Sequence, residues 1–236
     1  IKIKPTGCHG FCQRGPIVVV EPGGIFYTQV NVEDVSQIVH LHLCNGQIID
    51  KLLYRDPVSL KTERYYQEIP FYKKQRRLIL RNCGRINPED IQDYLDTGGY
   101  QALKKVILEM TPDQVIAEVK WSGLRGRGGA GFPTGRKWQF CRDASNSQKY
   151  IICNADEGDP GAFMDRSIME GDPHTVIEGM AIAARAIGAS QAYIYIRAEY
   201  PLAIERLRVA LEQAEERTLI GEHIFDSDFN LDIKVK

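Results

Sequence analysis

Apolar and polar positions alternate most regularly from residue 149 to the end of the chain. Runs of β-branched and aromatic residues at 150–153, 192–196 and 229–235 predict strands. Between these runs, the Asp172-Pro173 start predicts a helix that ends at Gly188, and a second helix is predicted from Pro201 to Arg217. Because strands and helices alternate in this order, the pattern predicts an α/β sandwich with a partly parallel sheet.

The first part of the chain has the pattern of a small sheet. Two apolar runs, 17–20 and 25–30, flank the turn residues Glu21-Pro-Gly-Gly24 and predict a hairpin. A short helix is expected to follow, capped by Asn31 and ended by Asn45-Gly46. A region of about 55 residues is small for an independent core, so it is expected to be either truncated or stabilised by an additional group.

The middle of the chain shows a change from irregular to helical pattern. Residues 55–77 are charged and rich in tyrosine without periodicity, which predicts a linker. Asn87-Pro88 then predicts a capped helix that ends at Gly98-Gly99. Thr111-Pro112 predicts a second capped helix that runs through Trp121.

Composition excludes several classes of protein. The chain has 236 residues, 43% of them apolar, and a formal net charge of −1, which argues against a general nucleic-acid binder. No apolar run approaches the roughly 18–20 residues that span a bilayer, and the start does not resemble a secretory signal, so we expect a cytoplasmic chain without membrane insertion. The six cysteines are too few for a disulfide scaffold and favour metal binding or burial. The start without Met suggests a piece of a longer polypeptide.

The near-zero net charge conceals a segregation. Residues 1–142 carry +7 and residues 143–236 carry −8. Between Lys120 and Arg142 there are six Lys or Arg and no acid, and six of the 21 glycines fall between 123 and 135. Glycines allow close approach to the backbone, and successive N–H groups beside cations favour an anion, so this stretch predicts a phosphate site. The structural alternative is a flexible, basic surface loop.

Known phosphate motifs fit this stretch only in part. The P-loop pattern is absent. Gly126, Gly128 and Gly131 have the spacing of the dinucleotide fingerprint, and Asp156 lies at a suitable distance downstream. That fingerprint should follow a strand, however, whereas here a predicted helix precedes it and Pro133 follows it.

An acidic stretch, Asn154-Ala-Asp-Glu-Gly-Asp-Pro-Gly161, follows the strand predicted at 150–153. Ligands of open α/β sheets bind beyond the carboxyl ends of strands, so Asn154, Asp156, Glu157 and Asp159 are expected to face a ligand held by the basic stretch. Alternatively, these residues only build turns around Gly158 and Pro160.

Two long motifs resemble those of the flavin-binding, NADH-oxidising subunit of complex I (the 51 kDa-type subunit). They are similar also to the β subunits of NAD-linked or electron-bifurcating hydrogenases and formate dehydrogenases. The motifs are Ser122 to Trp138 and Tyr150 to His174, and Tyr193 to Tyr200 matches as well. The resemblance implies an FMN-binding α/β sandwich domain over 80–236, incomplete at its carboxyl end because the family's next glycine motif and iron–sulfur segment are expected further on.

The resemblance also implies roles for individual residues. It places Gly126, Arg127, Gly128 and Lys137 at the FMN phosphate and backbone contacts, and Asn154 and Asp156 at the flavin ring and ribityl chain. It counts Glu157 among the FMN residues, on the side of the dinucleotide, and makes it a possible tuning residue of the flavin. The residues implied for NAD(H) are Gly129, Phe132, Phe140 and Asp159, with the two phenylalanines stacking on adenine.

The amino-terminal cysteines Cys8 and Cys12 are four residues apart among glycines. By spacing alone the pair is ambiguous, and two structural thiols are the default interpretation, since a 2Fe-2S cluster needs four ligands. The segment resembles the second ligand pair of a thioredoxin-like 2Fe-2S ferredoxin, which implies a partial domain of that kind over 1–54 and a linker over 55–79. Its first ligand pair is absent from this sequence. Cys83, Cys141 and Cys153 are expected to pack in cores, and His9 and His174 to be structural.

The resemblance implies an NADH:acceptor oxidoreductase, or diaphorase, in which hydride passes between NAD(H) and FMN and electrons then pass singly to iron–sulfur clusters. The cofactors implied are FMN, NAD(H), a 2Fe-2S cluster with an incomplete ligand set here, and a 4Fe-4S cluster in the part not present. The expected partners are iron–sulfur subunits of a hydrogenase, formate dehydrogenase or complex I-like assembly. The alternatives are a flavin-free Rossmann dehydrogenase and a non-enzymatic ferredoxin-like electron carrier.

Overall fold

A computed structural model describes residues 1–159 and 161–236 of the chain. The chain divides into two units, each with its own core. The smaller unit is Cys8–Arg81, and the larger unit is Asn82–Lys236 joined by the first residues, Ile1–Gly7. None of the helices in the described ranges combines the length and the hydropathy that a membrane crossing requires.

The smaller unit is built on the hairpin expected from the sequence. Strands β1 (Val18–Val20) and β2 (Ile25–Tyr27) pair antiparallel, with Val18 opposite Tyr27. The turn between them contains Gly24 in the left-handed region, at φ 64°. Phe26 and Tyr27 are fully buried because the two faces of β2 pack against different clusters. This hairpin confirms the prediction.

A helical segment follows at the position that the sequence predicts. Asn31 forms a capping box with Asp34. The segment changes its hydrogen-bonding period along its length, from a 3-10 turn at Val32–Asp34 through α1 (Val35–Gln37) to a π-helix at Ile38–Leu43.

Residues 55–79, for which the sequence predicts a linker, contribute to the packing of the smaller unit. Ile69 and Tyr72 are buried in one cluster with Phe26 and Tyr54. The elements here and nearby are short: 3-10 turns Cys12–Arg14, Asp50–Leu52 and Tyr66–Glu68, strands β3 (Tyr54–Arg55) and β4 (Thr62–Glu63), and helix α2 (Pro70–Lys73). The boundaries and the ferredoxin-like identity of the first domain stay predictions.

The larger unit contains a parallel sheet, as predicted. Its strands are β5 (Tyr150–Ala155), β6 (Gln191–Ile196) and β7 (Asp232–Val235), in the order β5-β6-β7. Ala155 pairs with Ile196, so β5 and β6 end side by side. The expectation of an α/β fold with parallel strands is thereby confirmed.

The helices of the larger unit are α3 (Ile91–Asp96), α4 (Gln101–Leu108), α5 (Pro112–Trp121), α6 (Thr134–Asp143), α7 (Met164–Gly171), α8 (Pro173–Ile187) and α9 (Pro201–Glu216), with a 3-10 turn at Ile224–Asp226. Helix α8 lies in the connection from β5 to β6, and α9 lies in the connection from β6 to β7. Because each connection leads to the next strand on the same side and such crossovers are right-handed, both helices cover the same face of the sheet. Their alanines pack on Ala192 and Ile194. On the opposite face, Tyr150, Ile152 and Tyr195 are exposed.

The cap residues predicted from the sequence are confirmed at α5 and α8, whereas at α3 the predicted cap residue is wrong. Thr111 and Gln114 form the capping box of α5, and Asp172 accepts a hydrogen bond from the Thr175 N–H at the start of α8. At α3 the cap is Asp90, whose carboxylate accepts from the Gln92 N–H at 3.0 Å. Asn87, the predicted cap, instead accepts the Glu89 N–H within the preceding turn.

A buried polar network fixes the helices behind the sheet. The Glu178 carboxylate accepts hydrogen bonds from the Tyr94 hydroxyl at 2.6 Å, the Tyr100 N–H at 2.9 Å and the Leu103 N–H at 3.1 Å. His174 contacts the Tyr100 hydroxyl through Nδ1 at 3.0 Å, and burial lowers the pKa of His174 to about 4. A carboxylate that accepts three hydrogen bonds can remain buried without destabilising the fold.

Candidate functional site

The candidate site is centred on residues 122–133, here called the basic glycine loop, which connects α5 and α6. Hydrogen bonds close its base: the Gly126 N–H donates to the Phe132 carbonyl at 2.9 Å, and the Thr134 N–H donates to the Leu124 carbonyl at 3.0 Å. Arg125 and Pro133 form an antiparallel bridge between the two sides. The loop is therefore a defined narrow structure with a tip at residues 127–132.

The tip of the basic glycine loop has unused hydrogen-bond donors. In the described ranges, the N–H groups of residues 127–132 donate no hydrogen bond. Gly129 has φ 97°, and a Cβ atom at Gly128 or Gly129 would meet nothing within 4 Å. Helix α6 begins directly after the loop, so the positive end of its dipole adds to these amides. Several open N–H groups beside a helix start form a site for an anion.

The cations around this loop have few acidic partners. Arg142 pairs with Asp113 at 2.8 Å. Arg125 donates from Nε to the Gly131 carbonyl at 2.6 Å. Among the described residues, no carboxylate forms an ion pair with Arg125, Arg127, Arg136 or Lys137. The loop therefore presents uncompensated positive charge, as an anion site requires.

Two phenylalanines flank the loop on the side of α6. The Phe132 and Phe140 rings have centroids 6.4 Å apart and expose 44% and 59% of their surface. The Arg136 guanidinium lies 6.0 Å from the Phe132 centroid and 5.8 Å from the Phe140 centroid. The structure thus brings together the two rings implied for adenine, with open faces on which a flat base can stack.

The packing of α5 against α6 explains another glycine of the motif. A Cβ atom at Gly135 would lie 2.6 Å from Lys120 Cγ and 2.7 Å from the Lys120 backbone nitrogen. Only glycine allows this approach, so Gly135 sets how closely the two helices hold the base of the loop.

Residues 154–159, which cover the end of β5 and the carboxylate-rich turn after it, are here called the acidic segment. The Asn154 side-chain carbonyl accepts the Asp156 N–H at 3.2 Å. Asp156 lies 3.5 Å from the Arg197 Nε, and Arg197 also donates to the Glu157 backbone carbonyl. Arg197 can reach both because it follows the end of β6, next to the end of β5. Pro160, the next residue of the motif, lies outside the described residues.

Glu157 has a well-defined structural contact. Its two carboxylate oxygens accept the N–H groups of Asp165 at 2.9 Å and Arg166 at 3.0 Å, which caps α7. Burial, followed by the charge of Glu157, raises the pKa of Asp165. Burial, followed by the charge of Asp165, raises the pKa of the Cys153 thiol to about 11. The carboxylates of Glu157 and Asp165 therefore lie close enough for their charges to interact.

The remaining predicted residues are exposed. Asn154 and Asp159 are accessible at the carboxyl end of the sheet, and Lys137 is accessible on the first turn of α6. Among the described residues, no hydrogen bond or ion pair joins the basic glycine loop to the acidic segment.

The cysteine pair lies in the smaller unit. Cys8 Sγ and Cys12 Sγ are 3.9 Å apart, and the Gly10 N–H donates to Cys8 Sγ at 3.2 Å. The Tyr72 hydroxyl and Arg77 both donate to the carbonyl of His9, which holds the loop between the cysteines. The described residues contain no group of three or more His, Cys, Asp or Glu side chains able to hold a metal. The pair therefore fits two of the four ligands of a 2Fe-2S cluster and does not form a complete site.

Two residues of the site were not found from the sequence. Arg197 could have been suggested by its position after β6, since the carboxyl ends of neighbouring parallel strands meet at one edge of a sheet. Arg136 could have been suggested by its spacing of four residues from both phenylalanines, which places the three side chains close together when helix α6 forms.

Comparison with known proteins identifies the part of the chain that carries this site. Residues 119–236 match the family model of the Nuo51 FMN-binding domain. That range contains the basic glycine loop, the acidic segment and the whole parallel sheet.

Characterised relatives match over a longer range. The chain is 58% identical over 164 residues to the HndC protein of the NADP-reducing hydrogenase of Solidesulfovibrio fructosivorans, covering 70% of this chain and 33% of the relative. It is 50% identical over 158 residues to a subunit of the NADH-quinone oxidoreductase of Rhizobium meliloti (strain 1021), covering 67% and 38%. With an NADH-quinone oxidoreductase subunit of Aquifex aeolicus (strain VF5) the identity is 47% over 174 residues, covering 73% and 40%.

A solved structure matches nearly the whole chain. A chain of the NAD+-reducing [NiFe]-hydrogenase in the air-oxidized state is 27% identical, with a TM-score of 0.52, over 98% of this chain and 34% of that chain. The present chain therefore spans about a third of the length of this structure and of HndC, and up to about two fifths of the other relatives.

Proposed function

This chain belongs to the family of Nuo51 FMN-binding domains, and on that premise we propose that it is part of an NADH:acceptor oxidoreductase. The observation that carries the proposal is the tip of the basic glycine loop. Its N–H groups at residues 127–132 donate no hydrogen bond within the described ranges, and its cations have no carboxylate partners there. A dianionic phosphate satisfies both the donors and the charge.

The residues present fit FMN. Arg127 in the loop and Lys137 on the first turn of α6 would hold its phosphate, because neither cation has a carboxylate partner among the described residues. Gly128 would contribute its open N–H, and Gly126, whose own N–H donates to Phe132, would allow close approach to the backbone. Asn154 and Asp156 would hydrogen-bond the flavin ring and ribityl chain from the carboxyl end of β5. When bound, FMN supplies the chemistry, accepting hydride from the dinucleotide and passing electrons singly to iron–sulfur centres.

The dinucleotide is proposed to lie on the side of the two phenylalanines. Phe132 and Phe140 would stack with adenine, with Gly129 and Asp159 beside the rest of the molecule. No nucleophile or general base is required for hydride transfer, so the residues of this chain act by orientation and charge. Glu157 acts by holding α7, and Arg197 acts by holding Asp156, so that the end of the sheet keeps its shape.

Beyond FMN, electrons are proposed to pass to iron–sulfur clusters in partner subunits. The relatives are subunits of hydrogenases and of NADH-quinone oxidoreductases, which supports partners of that general kind. Cys8 and Cys12 would supply two ligands of a 2Fe-2S cluster only together with two further cysteines. A cytoplasmic location stays a prediction.

The proposal is tested with the purified protein in its native complex. Anaerobic NADH should bleach the flavin absorbance and support reduction of viologen dyes. A protein without flavin that nevertheless oxidises NADH would indicate a Rossmann dehydrogenase. Iron–sulfur signals without any NADH-dependent reduction would indicate an electron carrier. Either result would overturn the proposed function.

A further inference from the structure

A cavity lies at the base of the basic glycine loop, away from the open amides of the tip. Its volume is about 370 Å³, and it is lined by α5, the two sides of the loop base and the first turn of α6. Residues 126–132 do not line it, so it is separate from the tip that is proposed to hold the FMN phosphate. Its size falls within the range of small-molecule sites.

The charged residues that line this cavity are all cations: Lys120, Arg125 and Arg136. Lys120 donates to the Gln139 side chain at 2.9 Å, and Arg125 uses its Nε for the Gly131 carbonyl, so both are held in place by neutral partners. None of the three pairs with a carboxylate anywhere in the described ranges. A cavity with three cations and no acid favours an anion such as a phosphate group.

Arg136 links this cavity to the aromatic surface. It lines the cavity and also lies within about 6 Å of both the Phe132 and the Phe140 ring centroids. A ligand that stacks a base on these rings and carries an anionic group close to that base would therefore meet Arg136. In an adenine dinucleotide, the group that satisfies this description is a phosphate on the 2′ oxygen of the adenosine ribose, since the 5′ diphosphate lies further from the base.

We propose that Arg136, supported by Arg125 and Lys120, recognises the 2′-phosphate of NADP(H), so that this site accepts the phosphorylated dinucleotide. An arginine beside the adenosine ribose is a physically suitable group, since its planar guanidinium binds a phosphate through two hydrogen bonds. This inference rests on the proposed function, because it assumes that a nicotinamide dinucleotide binds at the two phenylalanines.

The inference is tested by calorimetric titration of the flavin-loaded protein with 2′,5′-ADP, 3′,5′-ADP and 5′-ADP at low salt. We expect 2′,5′-ADP to bind at least about tenfold more tightly than 5′-ADP. Arg136→Leu should lower the affinity for 2′,5′-ADP about tenfold more than it lowers the affinity for 5′-ADP, and Arg136→Lys should restore part of the difference. Arg208→Leu, an exposed arginine of α9, serves as the control and should leave both affinities unchanged.

Several results would overturn the inference. Equal affinities for 2′,5′-ADP and 5′-ADP, or an equal loss of both in Arg136→Leu, would remove the role of Arg136. Tighter binding of 3′,5′-ADP would place the phosphate elsewhere. Displacement of 2′,5′-ADP by equimolar inorganic phosphate would show an anion site without adenosine recognition. Bleaching of the flavin by either NADH or NADPH, measured in the same samples, shows whether the proposed oxidoreductase function holds independently of these results.

Discussion

The basic glycine loop and the acidic segment are both short, charged and rich in small residues, yet they use their polar groups differently. At the tip of the loop, the N–H groups of residues 127–132 and the cations Arg127 and Lys137 have no hydrogen-bond or ion-pair partners in the described ranges. In the acidic segment, Glu157 caps α7 and Asp156 pairs with Arg197.

This difference shows that charge in a sequence does not by itself mark a ligand site. A group that already has protein partners contributes mainly to the fold, whereas an exposed cluster of donors without partners retains its capacity for a ligand. We therefore infer that the loop is the primary binding element, whereas Asp156 and Glu157 use their carboxylates to stabilise the end of the sheet and the start of α7.

The largest expected effect tests which glycines of the motif serve helix packing and which serve ligand access, by comparing Gly135 of α6 with Gly128 of the loop. Gly135→Ala should lower the free energy of unfolding by about 3 kcal/mol, because the new methyl group collides with the Lys120 backbone. Gly128→Ala is the matched control, since its Cβ meets nothing within 4 Å and its φ lies outside the left-handed region. The measurement is the free energy of unfolding of both variants by urea denaturation. Equal stabilities of Gly135→Ala and Gly128→Ala would contradict the close packing of α5 on α6.

A second prediction tests the charge of the loop. Arg127→Glu should lower FMN affinity about a hundredfold, because it removes a phosphate partner and adds a repelling charge. The control is Arg208→Glu, which changes the net charge equally on the exposed face of α9. Flavin content after gel filtration is the measurement. Unchanged flavin content in Arg127→Glu would show that the loop does not hold the phosphate.

A third prediction uses pH, because acidification should change the stability of the buried network around His174 and leave the charge of the basic glycine loop unchanged. Arginine and lysine remain charged throughout the acidic range. Burial lowers the pKa of His174 to about 4. The unfolded chain therefore binds a proton at His174 below pH 6.5 that the folded chain does not bind until about pH 4, and stability falls as the pH falls through this window. Between about pH 7 and pH 5 the loss from His174 should be about 2 kcal/mol.

The measurement for this prediction is urea denaturation at several pH values. His174→Gln should show a smaller loss of stability on acidification than the unsubstituted protein. The exposed residue His40 provides the control, and His40→Gln should follow the unsubstituted protein. An identical pH dependence in His174→Gln would show that His174 is not the group responsible.

The smallest expected effect concerns the acidic segment. Glu157→Gln should lower stability by about 1 kcal/mol, because the charge that caps α7 is lost. Asp159→Asn should not change stability, since this exposed carboxylate contacts no described residue. A shift in flavin potential or nucleotide affinity without any loss of stability in Glu157→Gln would show instead that Glu157 faces the ligand. The acidic segment would then use its carboxylates for binding, as the loop uses its donors.

Local patterns predicted the elements whose ends are fixed by their own sequence. The Asp172-Pro173 start of α8 and its end at Gly188 were predicted, as were the three strands of the sheet, for which only a partly parallel arrangement was expected. Helices α4, α6 and α7 were not predicted. The carboxylate that caps α4 is Glu178, and the one that caps α7 is Glu157, which lies in a loop seven residues before the helix. Such caps are formed by the fold and are absent from the local sequence.

In the candidate site, the basic glycine loop was predicted from the sequence, whereas helix α6 and Arg197 were missed. Glycine density and uninterrupted positive charge marked the basic glycine loop as a phosphate site, and the structure shows its open donors. Helix α6 was missed because its fully buried residue is a glycine and because Trp138 and Cys141, which pack partly buried on the core, give only a weak apolar periodicity. Without α6, the grouping of Phe132, Arg136 and Phe140 could not be inferred. Arg197 was missed because strand register, and not sequence distance, brings it to Asp156.

The central claim is that the basic glycine loop binds the phosphate of FMN. The most direct measurement compares the dissociation constants of FMN and riboflavin for the flavin-free protein by quenching of flavin fluorescence. We predict that riboflavin, which lacks the phosphate, binds at least about a hundredfold more weakly than FMN, and that Arg127→Glu removes most of this difference. Equal affinities of the unsubstituted protein for FMN and riboflavin would contradict the account.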